Sequence, residues 1–146
     1  MKSLVLAATA AAFALCVSSA RAQQVDFSKI EIKATDLGHQ TYMLEGQGGN
    51  ITVAVGQDGI IMVDSQFAPL HDKIKAAVAK ISDKPIKYVV NTHFHGDHTG
   101  GDAGFTKDGA VVVAQANVKK RLSEGTSNGL TGNKTAPVTE IGRAHV

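Results

Sequence analysis

Cysteine is nearly missing from this sequence of 146 residues, in which Cys16 is the single example. Cys16 lies in an apolar amino-terminal stretch, so the rest of the chain has no thiol with which to form a disulfide or a zinc–thiolate bond. A disulfide-stabilised fold is therefore excluded for residues 23–146, and a closed structural zinc site built from thiolates is excluded as well. Any metal site has to be built from His, Asp and Glu.

An excess of charge of either sign is also lacking. The formal net charge is +2, but Lys2 and Arg21 supply both surplus positive charges, and residues 1–22 contain no acid. The rest of the chain carries 13 basic and 13 acidic side chains. Because a balanced chain lacks the basic surface that attracts nucleic acid, we expect no nucleic-acid partner. The short basic cluster at 119–121 is interpreted as the solvated face of a helix.

Long apolar runs are absent apart from the one at residues 4–17. With Lys2 before it and an Ala-Arg-Ala box at 20–22 behind it, this run has the layout of a secretory signal peptide (residues 1–22) cleaved before Gln23. It is too short and too rich in alanine to serve as a membrane anchor. The sequence therefore predicts a bacterial periplasmic or secreted protein with no membrane association after cleavage. Nothing in the sequence predicts an oligomeric state.

The remaining residues alternate between β and α patterns. Short β-like runs predict strands at 30–34, 41–45, 51–55, 60–63, 86–90 and 110–114. The glycines at 56 and 59 predict a tight hairpin turn. Helical spacing of apolar residues predicts one helix from Leu70 to Ile81 and another over 116–122. This order predicts an α/β fold, in which a mixed sheet carries its helices on one face.

The densest group of potential metal ligands follows the apolar run 86–90. His93, His95, Asp97 and His98 fall within six consecutive positions. In an extended segment alternate side chains point to one side, so His93 and His95 are able to share one ion. Gly96 permits a turn that brings Asp97 and His98 back to supply an oxygen and a nitrogen to a second ion. Imidazole and carboxylate are the ligands of catalytic zinc sites, and the alternative interpretation is a solvated loop that is merely His-rich.

The stretch 91–101, NTHFHGDHTGG, resembles the HxHxDH signature of the metallo-β-lactamase-fold hydrolases. Upstream, GIIMVDS at 59–65 resembles the buried strand of that family that ends in an aspartate. The resemblance implies that Asp64 supports the ligand loop without binding metal, and the alternative is an ordinary turn residue at the end of a strand. The resemblance covers residues 28–124, which correspond to the first half of the family's αββα sandwich.

The resemblance implies two Zn²⁺ ions in the intact domain, one held by His93 and His95 and the other by Asp97 and His98. A zinc-bound hydroxide would attack an ester, amide or β-lactam carbonyl of a small-molecule substrate, or a phosphorus or sulfur centre, and Asp97 would orient that nucleophile. His98 stands where cysteine-using lactamases carry Arg, so the chain looks more like the all-histidine lactamases, glyoxalase II and lactonases. The runner-up interpretation is an iron-dependent oxidoreductase of this fold, similar to sulfur dioxygenases.

The chain departs from the family pattern at its carboxyl end. The resemblance implies a further His, a bridging Asp and a last His in a second half of the domain, and this sequence shows no matching pattern for them. We therefore expect residues 23–140 to be a truncated first half that is inactive by itself. Residues 141–146 resemble a translated sequencing adapter and are expected to be a non-native tail. His145 in that tail, His39 and His71 are not expected to bind metal.

Overall fold

The computed structural model describes residues 25–124 and the backbone of 141–143. The predicted signal peptide with Cys16 lies outside the described residues, and so does His145. Among the described residues, no helix is both long enough and apolar enough to cross a membrane.

One seven-stranded sheet organises the described part of the chain, and its strands lie in the order of the sequence. The strands are β1 (Lys33–Gly38), β2 (Thr41–Glu45), β3 (Ile51–Val55), β4 (Ile60–Val63), β5 (Ile86–Val90), β6 (Val111–Ala114) and β7 (Ile141–Arg143). The pairs from β1 to β4 are antiparallel, and the pairs from β4 to β7 are parallel. The change of direction occurs after β4 because the chain there crosses over through its first helix, as parallel pairing requires.

Four α-helices accompany these strands in the described residues. They are α1 (His71–Ala79), α2 (Gly96–Thr99), α3 (Asp102–Lys107) and α4 (Ala116–Ser123). Two short 3₁₀ turns, Phe27–Lys29 and Ala68–Leu70, precede β1 and α1. Pro69 lies in the second turn, where its missing N–H leaves no helical hydrogen bond unmade.

The core lies between the sheet and the helices. Ile60 and Met62 on β4 alternate with more exposed neighbours, and both are fully buried against the helical layer. Ile74 on α1, Phe105 on α3 and Leu122 on α4 belong to the same apolar cluster. The expected α/β fold with helices on one face of a mixed sheet is confirmed.

The other face of the sheet carries a row of exposed apolar side chains. Ile61 on β4 pairs in register with Tyr88 on β5, and Tyr88 pairs with Val111 on β6. Their side chains are 45 %, 43 % and 47 % exposed. We call these three residues the outer row, and large apolar residues in such a continuous row are unusual on a water-facing surface.

The strand predicted at 30–34 is wrong in its bounds, since β1 begins at Lys33. Residues 27–29, which precede the predicted strand, form a 3₁₀ turn. The ammonium group of Lys73 on α1 donates to the carbonyl oxygens of Phe27, Ser28 and Ile30 at 3.0, 2.7 and 2.6 Å. This contact with a distant helix competes with strand pairing and overrides the local β preference of residues 30–32.

A second difference concerns residues 141–143, where no strand was predicted. The backbone there forms β7, which pairs parallel with β6 through Val112 and Ile141. The predicted non-native origin of residues 141–146 stays a prediction.

Candidate metal centre

The four predicted ligands lie in one loop at the carboxyl edge of the parallel strands. We call residues 91–101 the ligand loop, and it follows β5 directly. Its entry is fixed by the N–H of Asn91, which donates to Val113 O on β6 at 2.9 Å, and by the N–H of Asp64, which donates to Val90 O at 2.9 Å. In α/β folds, bound molecules commonly lie at the carboxyl edge of the parallel strands.

Three histidine rings form a compact group in this loop. The ring centroids of His93 and His95 are 4.7 Å apart, and those of His93 and His98 are 4.0 Å apart. Burial lowers the pKa of His93 below its usual value of 6.5, and the neighbouring His98 and His95 lower it further. His93 is therefore neutral near pH 7, which is the form that binds a metal ion.

The turn predicted at Gly96 is a short helix. His95 is extended and caps α2, and its carbonyl oxygen accepts from the N–H groups of His98 and Thr99 at 3.0 Å. This turn reverses the chain and places Nε2 of His98 at 3.5 Å from Oδ2 of Asp97. The loop thus brings all four predicted ligands to one edge of the sheet.

Asp64 reaches the loop from the end of β4. Its Oδ2 lies 2.7 Å from Nδ1 of His98, and its two carboxylate oxygens accept from the N–H and hydroxyl of Thr92 at 2.8 and 2.7 Å. Asp64 has a positive φ of 67°, a conformation that Asp tolerates better than most residues. An ionised Asp64 keeps the proton of His98 on Nδ1, and this leaves the lone pair of Nε2 for a metal ion.

The donor set of the ligand loop fits a divalent metal in its chemistry. Three imidazoles and one carboxylate, without thiolates, are typical of zinc sites that keep an open position. Within residues 25–124, no three His, Asp or Glu side chains already converge around a single point. The side chains would therefore turn about their χ angles to enclose an ion, which a loop with its backbone fixed at both ends allows.

The glycine-rich loop between β2 and β3 packs directly on this centre. A Cβ on Gly48 would lie 2.7 Å from Cβ of Asp97, and a Cβ on Gly49 would overlap the imidazole of His98. Only glycine leaves room for the loop at these two points. The fully buried side chain of Gln66 donates through Nε2 to Gly49 O and holds the loop in place.

The two other described histidines lie away from the centre. His39 occupies the tight turn between β1 and β2 with a positive φ of 50°. His71 is bonded to Asp72 and Asp108, each at 2.9 Å, and its ring packs on Phe105. Neither ring meets the four loop residues.

A comparison with protein families places the chain. The model of the Metallo-beta-lactamase superfamily matches residues 44–131, which is more than half of the sequence. The chain belongs to this superfamily. The matched span contains β3 to α4 with the whole ligand loop.

Two sulfatases are similar to part of this chain. The linear primary-alkylsulfatase of a Pseudomonas species is 39 % identical over 62 residues, which cover 42 % of this chain and 12 % of the sulfatase. The alkyl/aryl-sulfatase BDS1 of Saccharomyces cerevisiae is 28 % identical over 71 residues, covering 47 % of this chain and 11 % of that protein.

Solved structures give the same fold. BJP-1, a subclass B3 metallo-beta-lactamase of Bradyrhizobium japonicum, superposes with a TM-score of 0.69 at 28 % identity over 83 % of this chain and 48 % of its own. MIM-1 of Novosphingobium pentaromativorans gives a TM-score of 0.69 at 22 % identity, over 86 % and 50 %. The chain spans about half the length of these structures and about an eighth of the alkylsulfatase.

Proposed function

We propose that the protein to which this chain belongs is a zinc-dependent hydrolase that acts on an ester, amide or β-lactam carbonyl of a small molecule. The observation that carries the proposal is the ligand loop: three imidazoles and a carboxylate at one sheet edge, with His98 oriented by Asp64. Histidines that bind metal commonly donate their other ring N–H to a carboxylate, and Asp64 supplies such a partner to His98.

Each ligand has a proposed place. His93 and His95 hold one ion, and Asp97 and His98 hold a second. When bound, zinc supplies a Lewis acid that polarises the scissile group and makes water acidic enough to react near neutral pH. Asp97 has a side chain that is 30 % exposed, so its carboxylate is able to accept a hydrogen bond from the attacking water and orient it.

The substrate class has a second candidate, the sulfate ester. The observation that favours it is the identity of 39 % over 62 residues to an alkylsulfatase. Fold similarity alone does not select between these substrates. The two candidates share the metal centre and differ in the group that is cleaved.

We propose further that the protein works in the bacterial periplasm or outside the cell, in line with the signal peptide expected at residues 1–22. An envelope location suits substrates that enter from the medium. Fractionation of the source bacterium tests this: the protein is expected in the periplasmic or culture fraction, and recovery of an unprocessed protein from the cytosol would contradict it.

The activity is tested on the natural gene product, purified and analysed for metal. Nitrocefin, p-nitrophenyl butyrate and a long-chain alkyl sulfate distinguish the substrate classes. We expect bound zinc and turnover of at least one substrate, lost in His93→Ala and retained in the matched control His39→Ala. Retention of iron together with oxygen consumption would point to the oxidoreductase alternative, and hydrolysis unchanged in His93→Ala would overturn the proposal.

A further inference from the structure

A buried carboxyl group lies directly behind the ligand loop. Asp102 is the first residue of α3 and is fully buried. Its Oδ1 accepts from the hydroxyl of Ser65 at 2.7 Å and from Nδ2 of Asn91 at 3.1 Å. None of these three side chains belongs to the proposed metal ligands.

The three side chains close the ligand loop at its base. Asn91 is the first residue of the loop and Asp102 is the residue after its end, so their bond joins the two ends of an eleven-residue span. Ser65 adds a connection to the middle of the loop, since its N–H and its hydroxyl lie 2.7 and 3.1 Å from the carbonyl oxygen of His98. A displacement of Asp102 would therefore shift His98 and both ends of the loop.

The hydrogen bonds around Asp102 leave two buried acceptors without a donor. They are Oδ2 of Asp102 itself and Oδ1 of Asn91. An ionised carboxylate only accepts, so it adds nothing to relieve this shortage, whereas a protonated carboxyl group provides one O–H donor. A buried acceptor without a donor is unfavourable, and this favours the protonated form.

We propose that Asp102 is a positioning residue that works as a neutral carboxylic acid, joining Asn91 to Ser65 and so holding the ligand loop closed. This inference deepens the proposed function, because it concerns the regulation of the same metal centre. Ionisation of Asp102 loosens the base of the loop, and the loop opens more readily.

The charges near Asp102 favour its neutral, protonated form. Burial raises the pKa of Asp102 to about 7, and the negative charge of Asp64 on the neighbouring strand end raises it as well, against the lowering effect of the bonds from Ser65 and Asn91. The histidines on the packed elements are His98 on α2 and His71 on α1. Their ring nitrogens are bonded to Asp64, Asp72 and Asp108, so neither supplies a hydrogen bond to Asp102.

The sign of the pH effect follows from proton linkage. Between about pH 4 and pH 7 the closed loop holds a proton on Asp102, which the opened and solvated loop releases. Opening therefore becomes about tenfold more favourable for each pH unit in this range, and it levels off above the raised pKa. Below pH 4 both states are protonated and the effect disappears.

The test uses the full chain without metal and measures amide hydrogen exchange at residues 92–101 from pH 5 to pH 8, corrected for intrinsic rates. We expect the protection of these amides to fall about tenfold per pH unit up to pH 7 in the wild-type chain. In Asp102→Asn, whose amide both accepts and donates, we expect high protection at every pH. Asp58→Asn, in an exposed hairpin turn, is the matched control and should follow the wild type.

Two outcomes would overturn the inference. Protection in Asp102→Asn that is low at every pH would show that the charged carboxylate holds the loop. A wild-type profile without pH dependence, with the ¹³C shift of the Asp102 carboxyl showing an ionised group at pH 5, would show the same. Failure of zinc to bind any variant would instead contradict the proposed function, since the exchange experiment needs no metal.

Discussion

Nδ1 of His98 and Oδ2 of Asp64 lie 2.7 Å apart although 34 residues separate them in the sequence. The carboxylate comes from the end of β4 and the imidazole from the short helix α2, so the contact exists only in the folded sheet. It fixes which nitrogen of His98 is free for a metal ion.

Removal of this carboxylate is the first prediction. In Asp64→Asn the amide keeps the size of the side chain and tolerates the positive φ, but it no longer holds the imidazole in one tautomer. We expect metal affinity to fall about 10- to 100-fold at the site proposed for Asp97 and His98. Isothermal titration with Zn²⁺ measures this. Asp36→Asn, on the exposed strand β1, is the control, and equal affinities for the two variants would contradict the role of Asp64.

The glycine-rich loop yields a second prediction. In Gly49→Ala the new methyl group meets the imidazole of His98, so either the loop or the ring has to move. We expect a loss of about 1–3 kcal/mol in the free energy of unfolding, together with weaker metal binding. Urea denaturation and a Zn²⁺ titration measure the two effects.

The control for Gly49 is Gly56→Ala in the β3–β4 turn, where a Cβ would lie 3.4 Å from the carbonyl oxygen of Gly59. We expect Gly56→Ala to bind metal like the wild type. A Gly49→Ala variant with unchanged stability and unchanged Zn²⁺ affinity would show that the loop does not bear on His98 in solution.

The buried Asp102 predicts a stability difference that depends on pH. Its folded-state pKa of about 7 lies above the usual 3.8, so its contribution favours folding at low pH and is lost as the pH rises from about 4 to 7. The free energy of unfolding of wild type minus that of Asp102→Asn should therefore fall by a few kcal/mol over this range. Urea unfolding at several pH values measures it, and a difference that rises with pH would refute the assignment.

The outer row predicts how residues 23–140 behave alone. Ile61, Tyr88 and Val111 present adjacent apolar side chains to water, so we expect this stretch to be poorly soluble. We also expect it to be hydrolytically silent. Replacement of all three residues by Thr should increase the monomer fraction in sedimentation velocity, while Lys87→Thr should not. A soluble monomer of the unmodified stretch that hydrolyses nitrocefin would contradict this expectation.

Much of the sheet was predictable because its strands follow local patterns. The bounds of β2, β3, β4 and β5 agree with the predicted runs, which are rich in β-branched, aromatic and other apolar residues. The exception is β1, where Lys73 binds three carbonyl oxygens of the preceding segment. No pattern within residues 27–34 predicts a contact with a lysine that lies some forty residues later in the sequence.

The ligand loop was predictable for a similar reason, since its four candidate ligands are neighbours in the sequence. Asp64 entered through a family resemblance, and its actual partners His98 and Thr92 depend on the parallel pairing of β4 with β5. Asp102 and Gln66 were missed. Both are buried polar residues whose partners lie far away in sequence, and such contacts have no local signature.

The ligand loop is proposed to bind divalent metal, and metal analysis after dialysis gives the sharpest test of that binding. The natural gene product is loaded with Zn²⁺, dialysed against metal-free buffer and analysed by plasma mass spectrometry, beside a variant with both His93→Ala and His98→Ala. We predict that the wild type retains stoichiometric zinc and that the double variant retains almost none. A wild-type protein that keeps no zinc, manganese or iron, or a double variant that keeps as much metal as the wild type, would show that the ligand loop is not a metal site.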